Sequence, residues 1–391
     1  MLLFILRSDI CSKALDSRKS LRMNLFSMDT VRSRTLLLAL CCVVSISAAQ
    51  ASPMQIWGYQ AWWMGDAWKD QDIKELDRSV FFQLEVGPSG TLDQRHGWPQ
   101  QWEDWRAQLT QHSQAFDLAI TLADHHTFRA VFESTEASDR LQDELTELVS
   151  SSNQVGGLHL DVEVKAEQTS RAAISRYRRF VNTLATRLHQ LKPSRQLSIF
   201  LPSGTYAQIY DAKVLRSVDW VVLQGYDAHF LNSPLAGPVA PLAGPDAVSW
   251  EKMLQLAESM KLPRHRLLMS FPLYGYEWTV PSCQPRGAHK GVGGLTSLLP
   301  LKTMPNASFR GDIQRQVARH GAQVELESSS LYYLFDNGQG SCTVGWFEDS
   351  WSLRIKADWL SRNGLAGLAF FPLGYDKGVL TTILRNHWQR P

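Results

Sequence analysis

The sequence predicts an α/β protein, a (β/α)8 TIM barrel with a small α+β insertion after its seventh strand. Three observations support this fold class: eight short apolar runs of strand type, longer segments of helical periodicity between them, and a chain long enough for eight such units. The clearest helical periodicity lies in 168–191, where apolar residues recur every three or four positions. Strands that alternate with helices run parallel, and eight such units of about 250 residues close into a barrel.

The elements follow one another along the chain. The predicted strands are 55–59, 79–86, 116–122, 155–163, 196–201, 218–224, 266–271 and 365–371. The predicted helices between them include 99–114, 137–150, 168–191, 247–260 and 349–363. The stretch of about 277–347 is too long for a simple βα connection and has its own strand-like pieces. We therefore interpret it as the insertion.

The N-terminal part, 1–51, has the features of a leader with a secretory signal peptide. Arg32 and Arg34 precede an apolar run that ends near Ala49, and Ala49-Gln50-Ala51 supplies small residues at a cleavage site. The apolar run is shorter than the about 20 residues that a spanning helix needs. We expect a secreted or periplasmic protein with no stable membrane insertion after signal removal; an uncleaved anchor is the alternative.

Charge argues against several classes of partner. The 391 residues include 40 Lys and Arg against 38 Asp and Glu, a formal net charge of +2. Without the seven basic and three acidic residues of the leader, the barrel domain of 52–391 has a net charge of −2. Such a near-neutral chain gives no reason to expect nucleic-acid binding and suits a neutral polysaccharide or oligosaccharide substrate. We expect a monomer that needs no cofactor.

Two cysteines, Cys283 and Cys342, remain outside the leader, both in the predicted insertion. In an oxidising compartment this pair predicts a disulfide, with two separate buried thiols as the alternative. No Cys/His spacing resembles a zinc site, so no metal is predicted. Asp124-His125-His126, which follows strand three, is a further candidate for substrate binding.

The most informative segment is strand four, Gly156-Gly157-Leu158-His159-Leu160-Asp161-Val162-Glu163. Side chains alternate along a strand, so His159, Asp161 and Glu163 share one face, and the apolar residues share the other. In a barrel the polar face points inward near the C-terminal mouth, where barrel enzymes have their active sites. Neighbouring carboxylates raise one another's pKa, as a general acid requires at neutral pH. The alternative is an edge strand whose polar face lies in water.

This octet resembles the D-G-x-D-x-D-x-E signature of glycoside hydrolase family 18, the chitinase family. Glu163 corresponds to the catalytic acid and Asp161 to the last aspartate of the signature. Gly156 and His159 stand where the family has its first two aspartates, and Val162 replaces the usual aromatic residue.

Four further segments resemble motifs of the family, in the same order along the chain. They are Gly58-Tyr59 on strand one, Gln224-Gly225-Tyr226-Asp227 on strand six, Phe271-Pro272-Leu273-Tyr274-Gly275 on strand seven, and Ala366-Gly367-Leu368-Ala369-Phe370-Phe371 on strand eight. Phe371 takes the place of the family's tryptophan. The resemblance extends over nearly all of residues 55–385.

The resemblance implies roles for the matching residues. Glu163 would protonate the leaving oxygen, Asp161 would orient the substrate's 2-acetamido group, and Tyr226 would donate a hydrogen bond to that group. Asp227 would hold the sugar or the loop that carries the tyrosine. Other predicted substrate-binding residues are Tyr59, Trp62, Trp63, His159, Gln224, Tyr274 and Phe371.

His159 is the departure with the largest expected effect. It cannot share a proton as the aspartate does, and we expect it to have a positive charge that keeps Asp161 ionised. The predicted function is an exported glycosidase that cleaves β-1,4-linked N-acetylglucosamine-containing glycans, such as chitin oligosaccharides or peptidoglycan, by substrate-assisted retaining catalysis. The alternative is a weak or inactive, lectin-like barrel of the same family: the lost aspartates favour it, and the retained Glu163, Asp161 and Tyr226 oppose it.

Overall fold

The computed structural model describes residues 53–301 and 308–389, so the predicted leader lies outside the described residues. Eight parallel strands form the central sheet, and each of them coincides with a predicted strand to within two or three residues. They are Gln55–Ala61, Arg78–Val86, Phe116–Leu122, Val155–Val162, Gln196–Leu201, Trp220–Leu223, Leu267–Pro272 and Gly367–Phe371, here called strands one to eight.

The sheet is closed. Each strand pairs with its neighbours in chain order, and strand one pairs in parallel with both strand two and strand eight. A short strand, Leu92–Gln94, pairs antiparallel with the end of strand two. The predicted (β/α)8 barrel is therefore confirmed.

Helices cover the outside of the barrel. The α-helices are Glu103–Gln111, His125–Glu133, Thr135–Ser150, Arg171–Gln190, Ala212–Ser217, Trp250–Ser259, Ser350–Asn363 and Val379–Trp388. Short 3-10 helices are Trp62–Asp70, Ile73–Glu75, Gln100–Trp102, Ala166–Gln168, Gly204–Ile209 and Arg264–Arg266. Each predicted helix overlaps an observed one. His125–Glu133 was not predicted; Asp124 begins it by accepting a hydrogen bond from the Thr127 backbone nitrogen over 2.7 Å.

The insertion lies between strands seven and eight and forms a separate six-stranded sheet with one helix, Ile313–His320. Its strands are Tyr274–Val280, Lys290–Ser297, Phe309–Asp312, Gln323–Glu325, Ser330–Asp336 and Cys342–Phe347. The pair Leu235–Ala236 and Gly287–Ala288 connects the loop after strand six to this insertion. Cys283 and Cys342 form the predicted disulfide.

Side chains fill the interior of the barrel. The inner layer includes Trp57, Val80, Phe200, Val222 and Leu268, all buried. Below them, Arg78 Nη1 donates a hydrogen bond to Asp117 Oδ1 over 2.6 Å. A filled barrel leaves room for a substrate only at its C-terminal mouth.

Among residues 53–301 and 308–389, no helix is both long enough and apolar enough to span a membrane.

Candidate active site

A cleft of about 410 Å³ opens where strands two, three and four end. Asp161 and Glu163 both line it, as the alternation along strand four predicts. The other residues that line it are Phe82, Gln83, Glu85, Val86, Thr121, Leu122, Ala123, Asp124 and Thr127.

Glu163 lies just beyond the end of strand four. Its backbone nitrogen donates a hydrogen bond to the carbonyl oxygen of Leu122 over 3.0 Å, which fixes the residue at the mouth. Burial and the nearby charge of Asp227 raise the pKa of the Glu163 carboxyl to about 7. At neutral pH this carboxyl group is populated in both protonation states, so it can donate a proton and take one back.

Asp161 lies two residues earlier on the same face of strand four. Burial, and then the charge of Glu163, raise the pKa of Asp161 well above its usual range. Its Oδ1 atom is inaccessible to solvent and makes no hydrogen bond within the described part of the chain. A buried polar atom without a partner is rare, and here it belongs to a residue that lines the cleft.

His159 differs from the expectation. Its Nε2 lies 2.9 Å from Tyr59 Oη and its Nδ1 lies 2.8 Å from Ser198 Oγ. Since Ser198 Oγ donates to the carbonyl oxygen of Leu158 over 3.3 Å, it accepts from Nδ1–H, and Nε2 accepts from Tyr59. Burial lowers the pKa of His159 to about 3.

The expectation of a positive charge on His159 is therefore wrong, because the ring is buried away from water and both nitrogens are satisfied in the neutral form. The expected role in substrate binding is also wrong. Only 1% of the residue is exposed, and its side-chain hydrogen bonds are with Tyr59 and Ser198.

The surroundings of Gly156 explain why it stands in place of the first aspartate of the signature. A β-carbon on Gly156 would lie 2.9 Å from Cβ of Ala115 and 3.4 Å from Oδ1 of Asp117. The neighbouring strand three thus already has a carboxylate at this place, paired with Arg78. A second carboxylate here would be crowded and would repel the first.

Strand six ends in Gln224-Gly225-Tyr226-Asp227. Gln224 Oε1 accepts a hydrogen bond from the Ser203 backbone nitrogen over 2.7 Å, and its Nε2 donates to the Tyr226 carbonyl oxygen over 3.2 Å. The amide of Gln224 therefore holds the backbone of Tyr226 in place, and both of its ends are occupied by protein atoms instead of substrate.

Asp227 joins the end of strand six to the insertion. Its Oδ1 accepts hydrogen bonds from Tyr274 Oη over 2.7 Å and from Tyr276 Oη over 3.3 Å. Burial raises the pKa of Asp227 to about 6 against the opposing effect of these two bonds. Of the two expected roles for Asp227, holding the tyrosine's loop has direct support in these contacts.

An aromatic floor closes the mouth beside the carboxyl groups. The ring of Phe371 lies 5.1 Å from Phe82, 5.7 Å from Tyr59, 5.7 Å from Tyr226 and 6.2 Å from Trp63. Tyr226 and Phe371 are stacked at 14°. This surface matches the apolar face of a sugar ring.

Trp62 and Trp63 follow strand one and differ in exposure. Trp63 packs edge-on against Phe82 and Phe371, whereas Trp62 is 38% exposed and stacks on His96 with ring centroids 4.1 Å apart. Both tryptophans directly follow strand one, and their part in substrate binding stays a prediction.

Sequence reasoning missed four residues of the site and its support: Phe82, Glu85, Asp117 and Ser198. Phe82 comes two positions after Val80, which faces the barrel interior. Alternation along strand two could therefore have placed Phe82 on the same inner face. Asp124 was a candidate and does line the cleft. In the described part of the chain, no three His, Cys, Asp or Glu side chains are arranged to hold a metal ion.

A closed β/α barrel with two neighbouring carboxyl groups and an aromatic floor at its mouth is the architecture of a barrel glycosidase. The model of the family described as "Glycosyl hydrolases family 18" matches residues 79–376. The chain therefore belongs to glycosyl hydrolase family 18, and it is related to chitinases and cortex-lytic enzymes.

Two curated relatives illustrate this relationship. A cortical fragment-lytic enzyme of Bacillus anthracis is 25% identical over 271 residues, which cover 66% of this chain and 56% of the relative. A class V chitinase of Arabidopsis thaliana is 25% identical over 188 residues, 46% of either protein. The chain thus spans about half the length of the curated relatives that it matches.

Solved structures support the fold. The spore cortex-lytic enzyme SleL of Bacillus megaterium QM B1551 has a TM-score of 0.66 at 20% identity, covering 85% of this chain and 74% of that one. The class V chitinase of Nicotiana tobaccum has a TM-score of 0.70 at 17% identity, covering 86% and 99%. At these identities the likeness shows the barrel fold alone.

Proposed function

We propose that the protein is an exported glycosidase that hydrolyses β-1,4-linked glycans containing N-acetylglucosamine, by substrate-assisted catalysis with retention. The observation that carries the proposal is Glu163, a cleft carboxyl with a pKa of about 7 that lies beside Asp161. The names of the relatives, chitinase and cortex-lytic enzyme, agree with a substrate of this class.

In the first step, Glu163 gives its proton to the glycosidic oxygen, and the bond between that oxygen and the anomeric carbon breaks. The 2-acetamido oxygen of the same sugar attacks the anomeric carbon and closes an oxazolinium ring. Asp161 accepts a hydrogen bond from the acetamido N–H and stabilises the positive charge.

In the second step, the Glu163 carboxylate takes a proton from a water molecule, and the resulting oxygen attacks the anomeric carbon. The oxazolinium ring opens, the acetamido group is restored, and Glu163 is protonated again for the next cycle. Tyr226 donates to the acetamido oxygen, and Phe371 supports the apolar face of the reacting sugar.

The charge of the cleft narrows the substrate class. Four carboxyl groups line it, those of Glu85, Asp124, Asp161 and Glu163, and the described lining includes no Lys or Arg. Sugar units with free carboxylates facing this wall would be repelled. The proposal therefore favours uncharged units, as in chitin oligosaccharides or the N-acetylglucosamine units of peptidoglycan.

The test is the Glu163→Gln variant, with Glu136→Gln on an exposed helix as the matched control. We expect Glu163→Gln to lose hydrolysis of chitooligosaccharides and muropeptides and to keep oligosaccharide binding, because the amide preserves the shape and cannot donate an acidic proton. Full activity in this variant would overturn the proposal. Binding without product release by the unmodified protein would instead support the lectin-like alternative.

Export has a separate test. The predicted cleavage site places the mature N-terminus after Ala51, within the part of the sequence that resembles a signal peptide. N-terminal sequencing of protein recovered from the periplasm or medium should identify Ser52 as the first residue. Protein that retains the leader would contradict export by this route.

A further inference from the structure

The helix Arg171–Gln190, on the outside of the barrel, has formal charges of one sign only. It contains five arginines and no aspartate or glutamate. The preceding helix, Thr135–Ser150, has the opposite composition, with five acidic residues and one arginine. Because residues 52–391 have a net charge of −2, the positive charge is concentrated on this helix and is not a property of the whole surface.

A groove runs between this helix and the short helix Ala212–Ser217. It consists of two cavities of about 460 and 360 Å³, which are continuous because Arg179, Asn182 and Lys213 line both of them. Arg171 and Arg178 also line the groove, and Asp211 is the one acidic residue in its described lining. The groove is therefore a concave surface with an excess of positive charge.

Three of the four cations of the groove are available to a ligand. Arg171, Arg179 and Lys213 are exposed and have no ion-pair partner within the part of the chain that the structure describes. Arg178 differs, because its Nη1 lies 3.2 Å from Oδ2 of Asp211. The groove thus already holds one carboxylate of the chain against a guanidinium, and three further cations remain for carboxylates from outside.

The groove extends along the side of the barrel from its mouth. Arg171 and Gln208 follow strands four and five, so they lie toward the end of the barrel where Glu163 lies. His189 and Ser217 precede the next strands and lie toward the opposite end. Between Arg171 and His189 the helix rises by about 27 Å, at about 1.5 Å per residue. This length suits a linear polymer better than a single small anion.

The polar side chains among the cations complement a polysaccharide. Ser175, Asn182, Thr183 and Thr186 line the groove with hydroxyl and amide groups, which donate and accept hydrogen bonds as sugar hydroxyls do. Guanidinium groups bind carboxylates with paired hydrogen bonds. Aromatic rings, on which the bases of single-stranded nucleic acids stack, are not among the described residues that line the groove.

A second copy of the chain fits this groove less well. The acidic residues of Thr135–Ser150 are the obvious partners for a basic helix of another copy, but they line a hollow themselves. Two concave faces do not bring their side chains into close contact, and close complementary packing is what protein interfaces require.

We propose that the groove between Arg171–Gln190 and Ala212–Ser217 binds a linear polysaccharide with carboxylate groups on its sugars. This goes beyond the proposed function, because the polymer is held on the side of the barrel and is not hydrolysed at Glu163. The acidic cleft repels such a polymer, whereas the groove attracts it. The choice of a polysaccharide over a nucleic acid rests on the proposed export. An enzyme bound in this way to an anionic matrix stays close to the uncharged glycans that it hydrolyses.

The experiment measures the binding of fluorescently labelled polygalacturonate to the full chain. The triple variant Arg171→Gln/Arg179→Gln/Lys213→Gln should raise the Kd at least about tenfold at about 50 mM salt, because the three free cations are lost. Between about 50 and 200 mM salt, the affinity of the unmodified protein should fall more steeply than that of the variant, because more counterions are released on binding. Hydrolysis of chitohexaose should stay within about twofold.

The matched control is the triple variant Lys74→Gln/Arg319→Gln/Arg362→Gln. These three residues are exposed, lie outside the groove, and their substitution changes the net charge by the same amount. The control should bind polygalacturonate as the unmodified protein does. An equal rise in Kd in the two triple variants would overturn the proposal, because it would show that net charge and not the groove determines binding. Thermal unfolding of each variant identifies any that fail to fold.

Three further outcomes are decisive. Binding of a DNA duplex as tightly as polygalacturonate at the same salt concentration would overturn the assignment to a polysaccharide. A dimer that light scattering detects at low salt, and that the groove variant loses, would assign the groove to a second copy of the chain. Glu163→Gln should bind polygalacturonate with unchanged affinity. If the unmodified protein binds polygalacturonate in the groove but does not cleave chitohexaose, the proposed function fails and the groove proposal stands.

Discussion

The hydroxyl of Tyr59 lies 2.9 Å from Nε2 of His159, and burial of the ring keeps the imidazole neutral. Ser198 accepts a hydrogen bond from Nδ1–H, and burial away from water disfavours a second proton on the ring. Strand four thus has an uncharged ring where the signature of the family has an aspartate. It follows that the neighbouring charge that raises the pKa of Asp161 is that of Glu163 and not of residue 159.

This relationship predicts different effects for two substitutions of His159 on the pH profile. His159→Asp introduces a third acidic group on the face that bears Asp161 and Glu163, and like charges raise the pKa of a carboxyl. Loss of activity at high pH follows deprotonation of the acid Glu163, so this limb of kcat/KM should move to higher pH. His159→Asn adds no charge and should leave the limb in place. Equal shifts in the two variants would contradict the neutral assignment.

The same residue predicts a pH dependence of stability. The pKa of His159 is lowered to about 3 in the folded protein, whereas an unfolded histidine titrates near 6.5. Between these values the unfolded chain binds one more proton, so the free energy of unfolding falls as pH falls through this window. His159 should contribute about 1 kcal/mol of this loss between pH 6 and pH 5. In urea unfolding, the free energy of unfolding of His159→Asn should fall by about 1 kcal/mol less between pH 6 and pH 5 than that of the unmodified protein. Equal pH dependence in the two proteins would contradict this prediction.

Asp227 should set the upper pH limit of activity. After burial, its charge is the next cause that raises the pKa of Glu163. Asp227→Asn keeps an oxygen that can accept from Tyr274 and Tyr276 and removes the charge. The high-pH limb of kcat/KM should therefore move to lower pH, toward the usual range of a glutamate. Glu136→Gln on the exposed helix is the control, and an unmoved limb in Asp227→Asn would show that its charge does not reach Glu163.

Local sequence predicts which residues of strand four face the cleft. Alternation along one strand places Asp161 and Glu163 together, and no information from elsewhere in the chain is needed for that prediction. The charge of His159 could not be predicted in this way, because it depends on Tyr59 and Ser198, which come from strands one and five. Burial and hydrogen bonding of an ionisable group are set by tertiary contacts, which the local pattern does not contain.

The surroundings of Asp117 and the helix His125–Glu133 were also not predicted from the local sequence pattern. Asp117 lies in the predicted strand three, yet its proximity to the vacant position at Gly156 depends on the register between strands three and four. The helix His125–Glu133 has only nine residues, so its buried residues Phe128, Val131 and Phe132 cover a single repeat of the helical period. Its capping residue, Asp124, was noted as a binding candidate, and the cap explains its position equally well.

The last prediction concerns the disulfide and the support that the insertion gives to Asp227. Cys283 and Cys342 are 59 residues apart, and closing a loop of this length removes about 4 kcal/mol of chain entropy from the unfolded state. The double substitution of both cysteines by serine should lower the free energy of unfolding by up to that amount. The strand Tyr274–Val280 pairs with neighbours on both sides, so it should stay in place and kcat should change less than stability.

Urea unfolding with and without a reductant measures the effect. The reductant should lower the free energy of unfolding of the unmodified protein and leave that of the double variant unchanged. The double variant thus controls for effects of the reductant elsewhere in the chain. Reduction at Cys283 and Cys342 removes a constraint on the unfolded ensemble, whereas the hydrogen bonds from Tyr274 and Tyr276 to Asp227 belong to the folded state. A loss of activity that greatly exceeds the loss of stability would contradict this separation and assign the disulfide a direct part in positioning Asp227.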